Sequence, residues 1–212
     1  MRADYKNGCI FNCYSFFIMK YNRIKRIYSQ LMTSGRIVIA TMTVCCLLYG
    51  SAIMMFGHLV APHKANGSLI INKNGEIIGS ELIAQGFSKK EYLWPRPSAV
   101  DYKASAAGGS NLSPTNPELR SRAQAIMAMM DLTGKGLIPA DLLTESGSGL
   151  DPHITLNAAL FQSERIANAR GLSITTVIRL FKESSRQPGG FLSPEPLLNV
   201  LLVNLALDSM GK

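Results

Sequence analysis

Three side chains of the types used in nucleophilic hydrolysis, Ser148, Asp151 and His153, lie within six residues of one another. A serine nucleophile needs a histidine base, which a carboxylate orients. Neighbours on one short stretch seldom converge in that geometry, and the chain contains no Gly-x-Ser-x-Gly nucleophile elbow. An envelope enzyme held by a signal anchor and using His153 and Asp151 is therefore kept only as an alternative hypothesis.

Two polar stretches, residues 108–111 and 146–151, are rich in glycine and lie between apolar segments. Glycine allows positive φ and a close approach of one backbone to another. Two interpretations follow, and both stay open at the level of sequence. The stretches either form turns, or they shape a contact with another subunit or a ligand.

The remaining reactive side chains do not predict a metal or nucleic-acid site. Cys9 and Cys13 lack a second cysteine pair and a nearby histidine, so we expect no metal. The net charge of +8 is concentrated in residues 1–36, which hold seven basic side chains and one acid. The rest of the chain has 15 basic and 13 acidic groups and no basic stripe, which argues against nucleic-acid binding.

The basic segment precedes an apolar run of 20 residues without a charge, residues 37–56. About 20 such residues span a membrane as a helix, so we predict an uncleaved transmembrane helix over residues 37–57. The positive-inside rule places residues 1–36 in the cytoplasm and residues 62–212 outside the inner membrane. The anchor residues are Ile37, Leu47, Gly50, Ser51 and Phe56, and small residues such as Gly50 and Ser51 permit close helix contact.

The first 31 residues fit this plan least well. We expect them to form an irregular tail, because residues 20–26 are basic and the aromatic-rich run of residues 11–19 is too short to span a membrane. A compact basic start begins at Met32, directly before the apolar run. We therefore expect translation to begin at Met32 or Met19.

The elements that carry the polar stretches follow from local signals. Asn74-Gly75 between apolar pairs predicts a β-hairpin over residues 68–78. A short strand is expected around Tyr92, and residues 95–117 are expected to form a long loop. Asn116-Pro117 and Asp151-Pro152 each predict a helix start.

The C-terminal part predicts further helices. Gly171 is expected to end the helix that contains Leu156 and Ile166, and Ser173 to cap the next one. Residues 197–207 are an apolar run that periodicity assigns to neither strand nor helix. The predicted fold is α+β: one N-terminal transmembrane helix followed by a single extracytoplasmic α+β domain.

Several stretches together resemble the C subunits of Kdp potassium-transporting ATPases in order and spacing. They cover the chain from about Met32 to its end, and the resemblance depends on all of them in register. The stretches are residues 65–69, 79–87, 96–99, 108–112, 116–119, 141–142, 146–153, 162–172, 199–200 and 204–208.

The resemblance implies an accessory, non-catalytic subunit of a high-affinity, ATP-driven potassium uptake system. Its partners would be a channel-like A subunit, an ATP-hydrolysing P-type B subunit and a small F subunit. The family is described as a catalytic chaperone that raises the ATP affinity of the pump subunit. Because ATP is cytoplasmic and residues 62–212 are predicted outside, we expect ATP to bind through the pump subunit only.

We expect no catalytic residue, no metal and no cofactor bound by this chain, with potassium as the ion transported by the complex. The residues expected at contacts with other subunits come from the polar stretches and from the family pattern. They are Arg96, Gly108, Gly109, Ser110, Asn111, Ser148, Gly149, Leu150, Asp151, His153, Gln162 and Arg165.

Overall fold

A computed structural model describes residues 5–72, 74–130, 137–192 and 195–210. Side chains are described from Lys20 onward, apart from Phe191, so Cys9 and Cys13 lie outside the described side chains. The chain divides into two compact units, Met1–Ala65 and Asn66–Lys212. They are called the N-terminal unit and the C-terminal domain below.

The N-terminal unit is helical over its described length except at Ala61. Helix α1 covers Tyr5–Met42, a π-helical segment covers Thr43–Tyr49, α2 covers Gly50–Val60 and the short α3 covers Pro62–Ala65. The prediction of an irregular tail is therefore wrong from Tyr5 onward. The first proline of the chain is Pro62. Every residue before it therefore has the backbone N–H that a helix needs as a donor.

The predicted anchor lies inside one long apolar helical stretch. Lys20–Val60 is long and apolar enough to cross a membrane, with a mean hydropathy of 2.1 in its most apolar window and no buried side chain there. The hydroxyls of Thr41 and Thr43 donate to the carbonyls of Ile37 and Ile39, at 2.8 and 2.9 Å. These bonds satisfy the two threonine hydroxyls, for which lipid offers no hydrogen-bonding partner.

The predicted hairpin is confirmed in the C-terminal domain. Strand β1, Leu69–Ile71, pairs antiparallel with β2, Ile77–Ser80, and Ile71 lies opposite Ile77. Gly75 has φ of +81° in the connecting turn, a conformation that glycine adopts without steric cost.

The remaining elements are mainly helices. Helix α4 covers Pro117–Met129, a 3₁₀ turn covers Ala140–Leu142, β3 covers His153–Thr155, α5 covers Leu156–Arg170 and α6 covers Ile174–Ser184. A 3₁₀ turn at Gly190–Leu192, strand β4 at Leu197–Asn199 and helix α7 at Val200–Met210 follow. The domain is α+β, with β3 and β4 forming a second antiparallel pair.

Three of the predicted helix ends are confirmed. Asn116 caps α4 by accepting the Glu118 N–H at 2.8 Å. The Ser173 hydroxyl accepts the Thr176 N–H at the start of α6. Gly171 ends α5 in the left-handed conformation.

The helix start predicted at Asp151-Pro152 is wrong. Residues 153–155 pair with β4 instead, and the cap of α5 is Thr155, whose hydroxyl accepts the Ala158 N–H. The apolar run 197–207 contains both alternatives, since β4 passes directly into α7. One core results, in which Ile154, Ile166, Phe181, Leu198 and Leu207 are all at most 1% exposed.

Candidate functional site

The segment that leads into Arg96 is buried but has no strand partner. Leu93 and Trp94 are 0% and 6% exposed, and the strand predicted near Tyr92 is absent from this described part of the chain. A buried backbone must still satisfy its N–H and C=O groups. Here two side-chain amides, Gln162 of α5 and Asn204 of α7, take the place of a neighbouring strand.

Each amide binds one residue through both of its polar atoms. Asn204 accepts the Leu93 N–H at 2.7 Å and donates to the Leu93 carbonyl at 3.0 Å. Gln162 accepts the Trp94 N–H at 3.0 Å and donates to the Trp94 carbonyl at 3.1 Å. We call Gln162 and Asn204, with the backbone of residues 93 and 94, the amide clamp.

Arg165 contacts the amide clamp directly, and Arg170 holds the backbone just before it. The Arg165 guanidinium lies 4.1 Å from the centre of the Trp94 ring and donates to the Gln162 side chain at 2.6 Å. Burial lowers the pKa of Arg165 to about 10, so it remains charged at neutral pH. Arg170 donates to the Glu91 carbonyl at 2.7 Å and pairs with Asp208 at 2.8 Å.

Gln162 and Arg165 were predicted as contacts with other subunits. The structure gives both side chains a role inside the domain, since Gln162 is 4% exposed and Arg165 binds backbone carbonyls and the clamp. Any contact with a partner stays a prediction for them. Sequence reasoning did not assign a role to Asn204, although a polar residue within an apolar run signals an internal hydrogen-bonding partner.

The two glycine-rich stretches lie against each other. The Gly108 N–H donates to the Ser148 carbonyl at 2.9 Å, and the Ser98 hydroxyl donates to the Gly149 carbonyl at 2.6 Å. We call residues 96–111 and 144–151 the loop junction. It contains nine of the twelve predicted contact residues: Arg96, Gly108, Gly109, Ser110, Asn111, Ser148, Gly149, Leu150 and Asp151.

The close approach requires glycine at position 149 and leaves little room for a side chain at position 109. Gly149 has φ of +68°, and a Cβ there would lie 2.7 Å from Val100 Cγ2 and 2.8 Å from the Gly108 carbonyl oxygen. A Cβ at Gly109 would lie 3.1 Å from the Gly147 carbonyl oxygen. Packing of the two stretches against each other accounts for these glycines, a role that neither of the two interpretations above specified, and partner contact stays a prediction.

Four of these predicted residues are at least partly accessible. Asn111 and Ser148 are exposed, while Ser110 and Leu150 are half-buried. Asn111 has φ of +51°, and the Leu150 carbonyl accepts the Ala84 N–H at 2.9 Å. Exposed polar groups at Asn111 and Ser148 are thus presented at the surface of the loop junction.

Side chains also hold the loop junction together, through hydrogen bonds made by Arg96 and Tyr102. Arg96 donates to the Glu145 carbonyl at 3.0 Å, and its Nε is 3.8 Å from the Asp141 carboxylate. Tyr102 donates from its hydroxyl to the Arg96 carbonyl at 2.9 Å. Burial, helped by the negative charge of Asp101, raises the pKa of Tyr102 to about 12.

Asp151 and His153 form a local pair beside the loop junction. Asp151 Oδ1 accepts the His153 N–H at 3.0 Å and lies 3.1 Å from His153 Nδ1. The hydrogen bond from His153 holds the pKa of Asp151 below its usual value, and the Arg96 charge acts in the same direction. This turn explains why Asp151 does not cap a helix.

The geometry does not assemble a serine hydrolase site. Ser148 Oγ accepts the Leu150 N–H at 3.2 Å, and none of the described hydrogen bonds joins Ser148 to His153. His153 instead lies at a cavity of about 370 Å³ together with Glu183 and Arg186. Among the described residues, no group of three or more histidine, cysteine or acidic side chains could hold a metal ion.

Comparison with known proteins gives one consistent result. The family model described as "KdpC: K+-transporting ATPase, c chain" matches residues 31–209. A protein of Parvibaculum lavamentivorans is 46% identical over 179 residues, which are 84% of this chain and 96% of that protein. Relatives from Trichlorobacter lovleyi and Synechocystis sp. are 42% and 43% identical over 173 residues, covering 80% and 77% of this chain and 92% and 89% of theirs. All three are called potassium-transporting ATPase KdpC subunits.

Proposed function

This chain belongs to the KdpC family, the c chain of K+-transporting ATPases, and we propose that it supports assembly and regulation of a P-type potassium uptake complex. It is an accessory subunit of that system. The observation that carries the proposal is the family match over residues 31–209, which includes the apolar helix and the C-terminal domain.

The proposed topology is a single pass through the inner membrane. Seven basic side chains precede the apolar run, so the N-terminus would lie in the cytoplasm and the C-terminal domain outside. Anchor residues Gly50 and Ser51 would allow close contact with a helix of another subunit.

The chemistry of transport is proposed to belong to the partners. A channel-like A subunit would carry potassium, a P-type B subunit would hydrolyse ATP, and a small F subunit would complete the complex. The C-terminal domain would dock on the outer face of the A subunit near the ion entrance. A raised ATP affinity of the B subunit would then arise through assembly, as a coupling between distant sites.

The experiment compares the purified complex with and without this chain. We expect loss of the chain to reduce both the yield of intact complex and potassium-stimulated ATP hydrolysis. Full assembly and full activity without the chain would refute the proposal.

The enzyme alternative is tested separately by His153→Ala. A hydrolytic mechanism that uses His153 and Asp151 predicts complete loss of an activity of the isolated chain, since the base is removed. The accessory function predicts that the purified complex with His153→Ala retains potassium-stimulated ATP hydrolysis.

A further inference from the structure

The hairpin formed by β1 and β2 exposes aliphatic side chains to an unusual degree. Ile71 and Ile77, which face each other across the two strands, are 59% and 64% exposed. Leu69 and Ile78 are each 38% exposed, and Leu82, just after the hairpin, is 61% exposed. Contiguous apolar patches of about 300–600 Å² on a monomer are often functional.

The charge pattern of the hairpin indicates the chemistry of a surface that could pack against it. Its strands carry no charged residue, and in the sequence the charges of residues 66–80, Lys73 and Glu76, fall between the two strands. Burying this surface against a charged partner would leave that partner's charges without counter-charges. The complementary surface is therefore aliphatic and uncharged.

The composition also separates a protein partner from a lipid surface. Amphipathic helices that lie in the membrane interface carry Trp, Phe or Leu on one side and Lys or Arg on the other. Strands β1 and β2 contain neither aromatic nor basic residues. Aliphatic surface without charges is typical of the buried centre of stable subunit interfaces.

The chain limits where such a partner can be. Leu69 follows Val60, the last residue of α2, by nine residues, which span at most about 30 Å when fully extended. If the apolar helix is the membrane anchor, as proposed above, chain length alone keeps Leu69 within about 30 Å of the end of α2. A partner that meets it there presents its surface at the membrane's outer face.

We propose that the exposed strands of this hairpin dock on an uncharged aliphatic surface of another subunit of the same transporter. This inference rests on the proposed function and names a surface for it that differs from the loop junction. Ile71 and Ile77 form the centre of the contact, and the polar turn at Asn74 and Gly75 stays outside it.

Photocrosslinking in the intact complex tests the contact. A benzophenone amino acid replaces Ile77 in the full chain, and the matched control carries it at Arg120, an exposed position of α4. We expect a crosslink from position 77 to another transporter subunit, at least fivefold above the control. Adducts with lipid alone, or a yield no higher than that of the control, overturn the inference.

A double substitution tests whether the contact contributes to assembly. Ile71→Ser with Ile77→Ser removes the aliphatic centre, and Ile174→Ser is the control because Ile174 is an exposed isoleucine, at 44%, on α6. We expect the double variant to lower recovery of intact complex at least fivefold and the control to leave it unchanged. Fluorescence of Trp94, the one tryptophan of the chain, verifies that each variant is folded.

The two proposals fail in different ways. If omission of the whole chain leaves assembly intact, the proposed function is refuted. If omission disrupts assembly while the folded double variant assembles normally, only the hairpin contact is refuted.

Discussion

The amide clamp and the loop junction both hold irregular backbone in place, but they use opposite kinds of residue. In the clamp, long polar side chains from α5 and α7 reach a buried segment and bind its N–H and C=O groups. In the junction, two stretches of main chain come so close that a side chain on Gly149 would clash and one on Gly109 would be tightly packed.

This difference in residue type determines which substitutions each region tolerates. The clamp depends on polar atoms at the ends of side chains, so it is sensitive to their removal. The junction depends on the absence of atoms, so it is sensitive to the addition of a single methyl group. Three substitutions test this contrast, from the largest expected effect to the smallest.

Gly149→Ala should have the largest effect. The left-handed conformation costs a non-glycine residue about 1–2 kcal/mol, and the contacts at 2.7 and 2.8 Å add an overpacking cost of about 1–3 kcal/mol. We expect the free energy of unfolding to fall by about 3–4 kcal/mol in total. Urea unfolding of the full chain in detergent, followed by Trp94 fluorescence, measures it.

Gly171→Ala is the matched control for this substitution. Gly171 has nearly the same φ, +65°, but no atom lies within 4 Å of the position that an added methyl group would occupy. The free energy of unfolding of Gly171→Ala should fall only by the cost of the left-handed conformation, about 1 kcal/mol. Equal losses at the two glycines would show that close approach does not determine the junction.

Asn204→Leu should have the next largest effect. Leucine has a similar size but leaves the Leu93 N–H and C=O unbonded in the interior, where each unsatisfied group costs about 1–3 kcal/mol. We expect a loss of about 2–3 kcal/mol after partial relaxation, measured by the same urea unfolding. Asn168→Leu on the exposed side of α5 should be nearly neutral. A neutral Asn204→Leu would mean that the clamp adds no stability.

Sequence reasoning succeeded where the signal was local. The turn at Gly75, the cap at Asn116 and the helix end at Gly171 are each determined by neighbouring residues. It failed where a distant segment competed for the same backbone. Asp151-Pro152 has the composition of a helix start, but pairing of residues 153–155 with β4 overrides it.

In the candidate site, too, local features could be predicted from the sequence and long-range contacts could not. The glycine stretches were identified from composition, but their packing against each other requires contacts between residues about 40 positions apart, such as Gly108 and Ser148. A short strand was predicted around Tyr92, but the segment is held without a strand partner. Its partners are side chains 68 and 111 residues away, which no local pattern specifies.

Tyr102→Phe should have the smallest effect and sharpens the contrast. Tyr102 contributes a side-chain hydrogen bond to the loop junction, at the Arg96 carbonyl. Losing one such bond costs about 1 kcal/mol at neutral pH. If the junction depends mainly on close backbone approach, this loss stays well below that of Gly149→Ala.

The pH dependence of the free energy of unfolding provides a second test of Tyr102. Because the pKa of Tyr102 is raised to about 12 in the folded state, its contribution is fully present below pH 10 and is lost as pH rises from about 10 to about 12. Tyr102→Phe should remove this part of the alkaline loss in urea unfolding at pH 8 and pH 11. Arg165 titrates in the same range in both proteins, so the difference between them isolates Tyr102. Tyr21→Phe in the exposed part of α1 is the control, and an alkaline loss unchanged by Tyr102→Phe would exclude Tyr102 as its source.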